Sequence, residues 1–201
     1  EKIAEMSSYD NPHCVFVNEK NLVELPEINI YHKNVGGRSF LFLAGDVQPI
    51  SESYCYEFCD KVLETFRENN KTEIITLGGV ALPRVPNNPV VYCTGNSKKM
   101  VEKYKTRLVN TNIHGRVGPI VGVSGLLIGL AGRKNIPAMS LLAETFGHPN
   151  YLGVKGARNI LKVLKEQLHL KLEISDLDDE VVEVEESIAK KAKNAATVKK
   201  A

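Results

Sequence analysis

Apolar positions along this 201-residue chain change period repeatedly, and each change marks an element. From 52 to about 68, Cys55, Phe58, Cys59, Val62, Leu63 and Phe66 recur at helical spacing, and Ser51 stands where a side-chain cap belongs. Residues 154–168 repeat the arrangement: Val154, Ala157, Ile160, Leu161, Leu164 and Leu168 face inward, and Lys155, Arg158, Lys162 and Lys165 outward. Ser97 caps a shorter helix that turns Met100, Val101 and Tyr104 inward. Between the helices, 39–44, 74–77, 90–93 and 138–143 are short apolar runs of strand length, the first of the kind covered on both faces. Ahead of these, 14–17 and 22–25 flank Asn-Glu-Lys-Asn as a hairpin. A further strand over 28–32 follows, and Val35-Gly36-Gly37 turns the chain.

The stretch from 112 to 145 concentrates the unusual residues. Gly115, Gly118 and Gly122 approach a helix expected to begin near Ser124, in which Gly125, Gly129 and Gly132 share one face among Leu126, Leu127, Ile128 and Leu130. Interior helical glycine costs about 1 kcal/mol relative to alanine, so such a face implies close approach to a neighbouring backbone. An anion cradle formed by the N–H groups of 122–125 is the functional alternative. Packing is preferred, because the spacing matches neither the P-loop nor a dinucleotide fingerprint, and the serine-elbow pattern fails at Leu126.

Alternating strands and helices predict an α/β domain over 1–174, with a mostly parallel sheet, helices on both sides and an antiparallel N-terminal hairpin portion. Ligands of such sheets lie beyond strand carboxyl ends, here Gly45-Asp46, Gly78-Gly79, Thr94-Gly95 and Glu144-Thr145. With Gly122 and Ser124 these outline a possible crevice. Asp46 and Glu144 have no evident nucleophile, histidine or metal partner, so capping or loop closure explains them better than acid/base catalysis.

Composition narrows the classes. Hydrophobic content of 43% and charged content of 25% are those of a globular protein, and a net charge of +2 with no tryptophan argues against a nucleic-acid surface. No apolar run reaches membrane-spanning length and no secretory signal opens the chain, so a cytoplasmic setting is expected. Cys14, Cys55, Cys59 and Cys93 are too few and too scattered for a disulfide scaffold; Cys14 and Cys93 lie in strand-like runs, and Cys55 and Cys59, which share one helix face with Phe58, Val62, Leu63 and Phe66, are expected to be buried structural thiols rather than half of a metal site. The five histidines show no ligand spacing. Neither a metal nor a cofactor is expected.

Residues 175–201 are polarised: 176–186 carry seven acids and no base, and 187–201 five lysines and no acid, an order suited to a helix macrodipole. Leu177, Val181, Val184 and Ile188 form a narrow seam, expected to meet a subunit or partner because a lone helix of this kind is marginal in water. The lysine-rich end is expected to fray.

Four runs, FLFLAGDVQP (40–49), EIITLGGVALPR (73–84), GPIVGVSGLLIGLAGRKNIPAMSLLAETFGHPN (118–150) and GARNILKVL (156–164), resemble the archaeal branch of the proteasome assembly chaperone family, also filed on weak similarity under the ATP-grasp name. The resemblance covers about 39–186. It implies a three-layer αβα fold similar to nucleoside phosphorylases and hydrolases, no catalysis, binding of proteasome α subunits and a homo-oligomer. It names no contact residues. Family members usually open with a further strand, glycine-rich turn and helix. This chain is expected to start after that unit, which would leave a sheet edge open to another chain. The end, Val198-Lys199-Lys200-Ala201, differs from the hydrophobic-tyrosine-any motif by which some activators dock, so that mode is not expected. The competing hypothesis is a small-molecule enzyme or sensor using the crevice near Asp46, Gly79, Ser124 and Glu144.

Overall fold

The computed structural model describes residues 1–69, 72–148 and 151–174. Along the chain run β1 (Lys2–Glu5), β2 (Phe16–Val17), β3 (Val23–Glu24), β4 (Ile28–Val35), β5 (Arg38–Gly45), α1 (Glu52–Glu68), β6 (Ile74–Leu82), β7 (Val91–Gly95), α2 (Lys98–Lys103), β8 (Val109–Asn110), α3 (Val123–Arg133), β9 (Ala138–Phe146) and α4 (Val154–Gln167). They fall into two units: Glu1–Ile74 with Pro119–Ala138, and Ile75–Gly118 with the chain from Met139. The expected tail seam of Leu177, Val181, Val184 and Ile188 lies outside the described residues.

In the first unit β1, β4 and β5 form an antiparallel sheet in that order, and β2 pairs with β3 as the expected hairpin. Asn18 closes that hairpin: its Oδ1 accepts from the Lys20 and Leu22 N–H groups, while Asn21 takes the left-handed conformation at φ 60°. Gly36 and Gly37, at φ 57° and 77°, make the two-residue turn between β4 and β5, whose twist suits paired strands. Ser51 caps α1 by accepting from Tyr54 N–H at 3.2 Å, and Phe58, Cys59 and Leu63 are buried. With α3 they make a core of Cys59, Leu63, Leu127, Ile128, Leu130, Ala131, Ile136 and Ala138.

One expectation fails here. The run 39–44 is of the kind covered on both faces, yet among the described residues β5 stands at the end of its sheet with Phe42 and Leu43 exposed. An unbroken apolar run records what the side chains prefer, not which strands reach them.

In the second unit the sheet order is β6-β9-β7-β8. β7 is parallel to β8 and antiparallel to β9. β6 and β9 run in step, with the Thr76 hydroxyl donating to Ser140 Oγ at one end and Gly147 N–H donating to the Leu82 carbonyl at the other. Two of the three pairings are therefore parallel, and the α/β class with a mostly parallel sheet holds. Helices α2 and α4 pack on β7, closing a core of Val91, Cys93, Met100, Tyr104, Met139, Leu141, Ala143, Ile160 and Val163. Tyr92, Ser140 and Leu142, on the opposite face of these strands, are buried too, which explains the nearly continuous apolar character of β9.

Three details correct the sequence reading. β6 does not end at Gly78-Gly79 but passes through them: a Cβ at 78 would stand 2.9 Å from Leu142 Cδ2, and one at 79 would stand 2.9 Å from Thr145 Cγ2. These glycines serve close approach within a sheet rather than a turn. Likewise β9 continues to Phe146, beyond Glu144-Thr145. In α4, Ala157 is exposed, whereas Val163 is fully buried and Gly156 lies against β9, where a Cβ would be 3.0 Å from Ala143 Cβ.

Candidate functional site

The eight crevice residues divide between the units. Gly45, Asp46, Gly122 and Ser124 belong to the first, and Gly78, Gly79, Glu144 and Thr145 to the second.

In the first unit, Asp46 and Gly122 line one cleft of about 1190 Å³, together with Gln48, Tyr56, Gly125, Gly129 and Arg133. Gly122 precedes α3 at φ 85°, and Gln48 Oε1 accepts from Val123 N–H at 3.3 Å. A protein amide thus occupies a donor that an anion cradle would use. A Cβ on Gly122 would stand 2.5 Å from that same oxygen. A Cβ on Gly125 would run into the Ile120 carbonyl, so the close approach inferred for the glycine face is made at this residue by the chain's own preceding loop. A Cβ on Gly129 would meet no described atom within 4 Å beyond its chain neighbours and its own helix backbone. Ser124 is half-buried in the first turn.

Both carboxylates hold backbone. Asp46 Oδ2 accepts from Glu27 N–H at 2.9 Å, and Asp46 N–H donates to the Glu27 carbonyl at 2.9 Å, fastening the start of β4 to the end of β5 beside Gly45. Glu144 accepts from Val90 N–H and from the Tyr92 hydroxyl, both at 3.0 Å. Burial, then the bond and charge of Glu144, raise the Tyr92 pKa above its ordinary value. Thr145 sits against Gly79 and Gly153, where a Cβ on Gly153 would fall 2.6 Å from Thr145 Oγ1.

Two of the thiols, Cys59 and Cys93, are buried. Burial pushes Cys59 up to about 12, with the nearby Cys55 and Asp60 charges adding to it, and Cys93 up to about 11, so both stay protonated. Cys14 corrects its expectation: it is exposed rather than set in a strand. Among the described residues no three His, Cys, Asp or Glu side chains gather as metal ligands, and no helix is long and apolar enough to cross a membrane.

What the sequence reading missed is exposed apolar surface. The β2–β3 hairpin shows Val15, Phe16, Val17, Leu22, Val23 and Leu25, and β5 shows Phe42 and Leu43. The signal was present in the first case: these short strands lack the apolar/polar alternation of a half-buried hairpin. A second cleft of about 600 Å³, lined by Arg107, Asn110, Asn159 and Lys162, had no periodic signature. Its Asn159 amide donates to the Pro89 carbonyl at 2.8 Å.

Comparison with known proteins adds what geometry cannot. The PAC2 family model matches residues 1–192. The chain belongs to the PAC2 family. The PAC2 chain is 25% identical over 191 residues to the uncharacterized protein MJ1210 of Methanocaldococcus jannaschii, covering 94% of itself and 72% of that protein. Among solved structures it is similar to Pyrococcus furiosus PbaB, an archaeal proteasome activator, with TM-score 0.82 and 28% identity, covering 94% of this chain and 81% of that one. Pyrococcus furiosus PbaA, an archaeal homolog of proteasome-assembly chaperone, shares the fold with TM-score 0.77 and 21% identity, over 100% and 79% of the two chains. Neither the family nor these relatives carries the ATP-grasp label.

Proposed function

We propose that this PAC2 chain is a non-enzymatic proteasome assembly chaperone that binds proteasome α subunits and promotes core-particle assembly in the cytoplasm. The observation that carries the reading is the match to PbaB, an archaeal proteasome activator, which extends over 94% of the chain at 28% identity. The site chemistry supports it: Asp46 and Glu144 both bind backbone N–H groups, and the buried thiols are held protonated. A chaperone needs adhesive surface rather than a reacting group, and the apolar β2–β3 hairpin offers it. Leu177, Val181, Val184 and Ile188 are the partner-binding residues proposed for the tail.

Co-purification with separately expressed proteasome α subunits tests this, comparing the intact chain with one cut after Ser175. The expected result is capture of free α subunits by the intact chain and weaker capture by the shortened one. Capture of assembled core particles alone would instead make the chain an activator. If no α subunit is captured while nucleosides or nucleotides raise its melting temperature, the chaperone reading fails in favour of a small-molecule role for the cleft beside Asp46 and Gly122.

A further inference from the structure

We propose that the acidic stretch 176–186 returns along its own chain and docks on α4 at the cleft shared by Lys162 and Arg107, its carboxylates toward the lysines and its apolar seam turned away. The docking does not rest on the proteasome reading, which enters only through the seam left open to a partner.

Charge is the first observation. The whole chain is nearly balanced, with 26 Lys and Arg against 24 Asp and Glu. Segments 98–116 and 154–171, which hold α2, β8 and α4, carry eleven of those bases and only two of the acids, Glu102 and Glu166. The imbalance reaches the second cleft, whose lining belongs wholly to the second unit and includes Arg107 and Lys162 but no carboxylate. Among the described residues neither of these cations has an ion-pair partner, nor has Lys165, three residues further along α4. Stretch 176–186 supplies the opposite charge, with seven acids and no base.

Spacing then matches the two. On α4, Lys155, Arg158, Lys162 and Lys165 follow one another at steps of three, four and three residues, which keeps them on one stripe. Asp176, Asp179, Glu183 and Glu186 repeat the same steps. The series reads alike in both directions, so a helix over 176–186 laid antiparallel to α4 sets Asp176 beside Lys165 and Asp179 beside Lys162, with the later acids toward Arg158 and Lys155. At about 100° per residue, Leu177, Val181, Val184 and Ile188 lie roughly 150° round from the acid stripe. Docking by the acids therefore turns the seam away from α4.

The way the chain leaves α4 favours this return. His169 takes the left-handed conformation at φ 49°, and Leu170 N–H donates to the Lys165 carbonyl at 3.0 Å. Helices commonly end in such a reversal, which carries the chain off the helix axis. The six residues from Leu170 to Asp176 reach up to about 20 Å when extended. Lys162 lies only about 8 Å of helix back from Gln167. A tether this short holds the acids beside the lysines at an effective concentration on the order of millimolar, an advantage that no separate acidic peptide has.

The experiment uses the full chain with Cys14→Ser and Cys55→Ser. Lys162→Cys with Asp179→Cys should form a disulfide within one chain on mild oxidation, because the docked positions come within disulfide reach. Lys162→Cys with Val181→Cys, equally tethered but on the seam, should form it several times more slowly, and high salt should remove the difference. The second readout is cleavage within 180–186 by a glutamate-specific protease. Lys162→Glu with Lys165→Glu should speed it about fivefold, the scale of two exposed ion pairs. Asp176→Lys with Asp179→Lys should do the same, and all four substitutions together should restore the slow rate, which damage to the fold could not do. Crosslinking at Val181 as fast as at Asp179, a disulfide that joins two chains, or cleavage indifferent to the charge reversals would overturn the proposal.

Discussion

Asp46 and Glu144 show how a residue type suggestive of chemistry can tie backbone together. Asp46 follows β5 and Glu144 lies within β9, and each accepts a backbone N–H from the residue just ahead of the neighbouring strand, Glu27 before β4 or Val90 before β7. The cysteines follow the same logic, with burial rather than reactivity deciding their behaviour. A thiol reagent added to the folded chain should label Cys14 at once and leave Cys59 and Cys93 unlabelled until denaturant is present, which mass spectrometry can read. Their titration has a further consequence. Cys59 and Cys93 have folded pKa values of about 12 and about 11 against an ordinary 9.0, and Tyr92 is raised above 10.0. A raised folded value favours the protonated form, so the stability these groups contribute is complete below about pH 9 and is lost as pH rises through the folded values. Urea midpoints should therefore fall between pH 9 and 11, and Cys59→Ala should flatten that decline.

The glycines of α3 matter by what stands beside each one. Gly125 admits the Ile120 carbonyl, whereas Gly129 faces open space, so two substitutions of the same kind should act in opposite directions. Gly125→Ala should destabilise the chain by about 1–3 kcal/mol through overpacking against backbone. Gly129→Ala should stabilise it by up to about 1 kcal/mol through helix propensity, both measured by chemical denaturation. Equal effects would mean the glycine face acts as a whole. Similar reasoning separates Gly78 and Gly79, strand glycines beside Leu142 and Thr145, from Gly36 and Gly37, whose positive φ makes a turn. In sequence the two pairs look alike, since Gly-Gly states only that a Cβ is missing.

Each unit has its own core, one gathered around α1 and α3 and one around β7, β9 and α4. The proposed function adds a surface to these cores, and the tail is where sequence places an apolar seam without an evident mate. Replacing Val181 and Val184 with lysine should reduce capture of proteasome α subunits severalfold, while circular dichroism and melting temperature stay as in the parent chain. Unchanged capture would remove the tail from the account.

Local order was readable in advance wherever it depends on neighbours in sequence. The caps at Ser51 and Ser97, the helices they open, the Asn18–Leu22 hairpin and the α/β alternation all follow from side-chain period and hydrogen-bonding chemistry within a few residues. The four motif runs led to the family by the same route. Non-local partnership was not readable, because apolar content reports a preference for burial and not the strand or helix that satisfies it. Hence β5 runs apolar yet stands at the end of its sheet among the described residues, Val163 carries no signal that sets it apart yet is fully buried, and Asp46 and Glu144 find their partners 19 and 54 residues away.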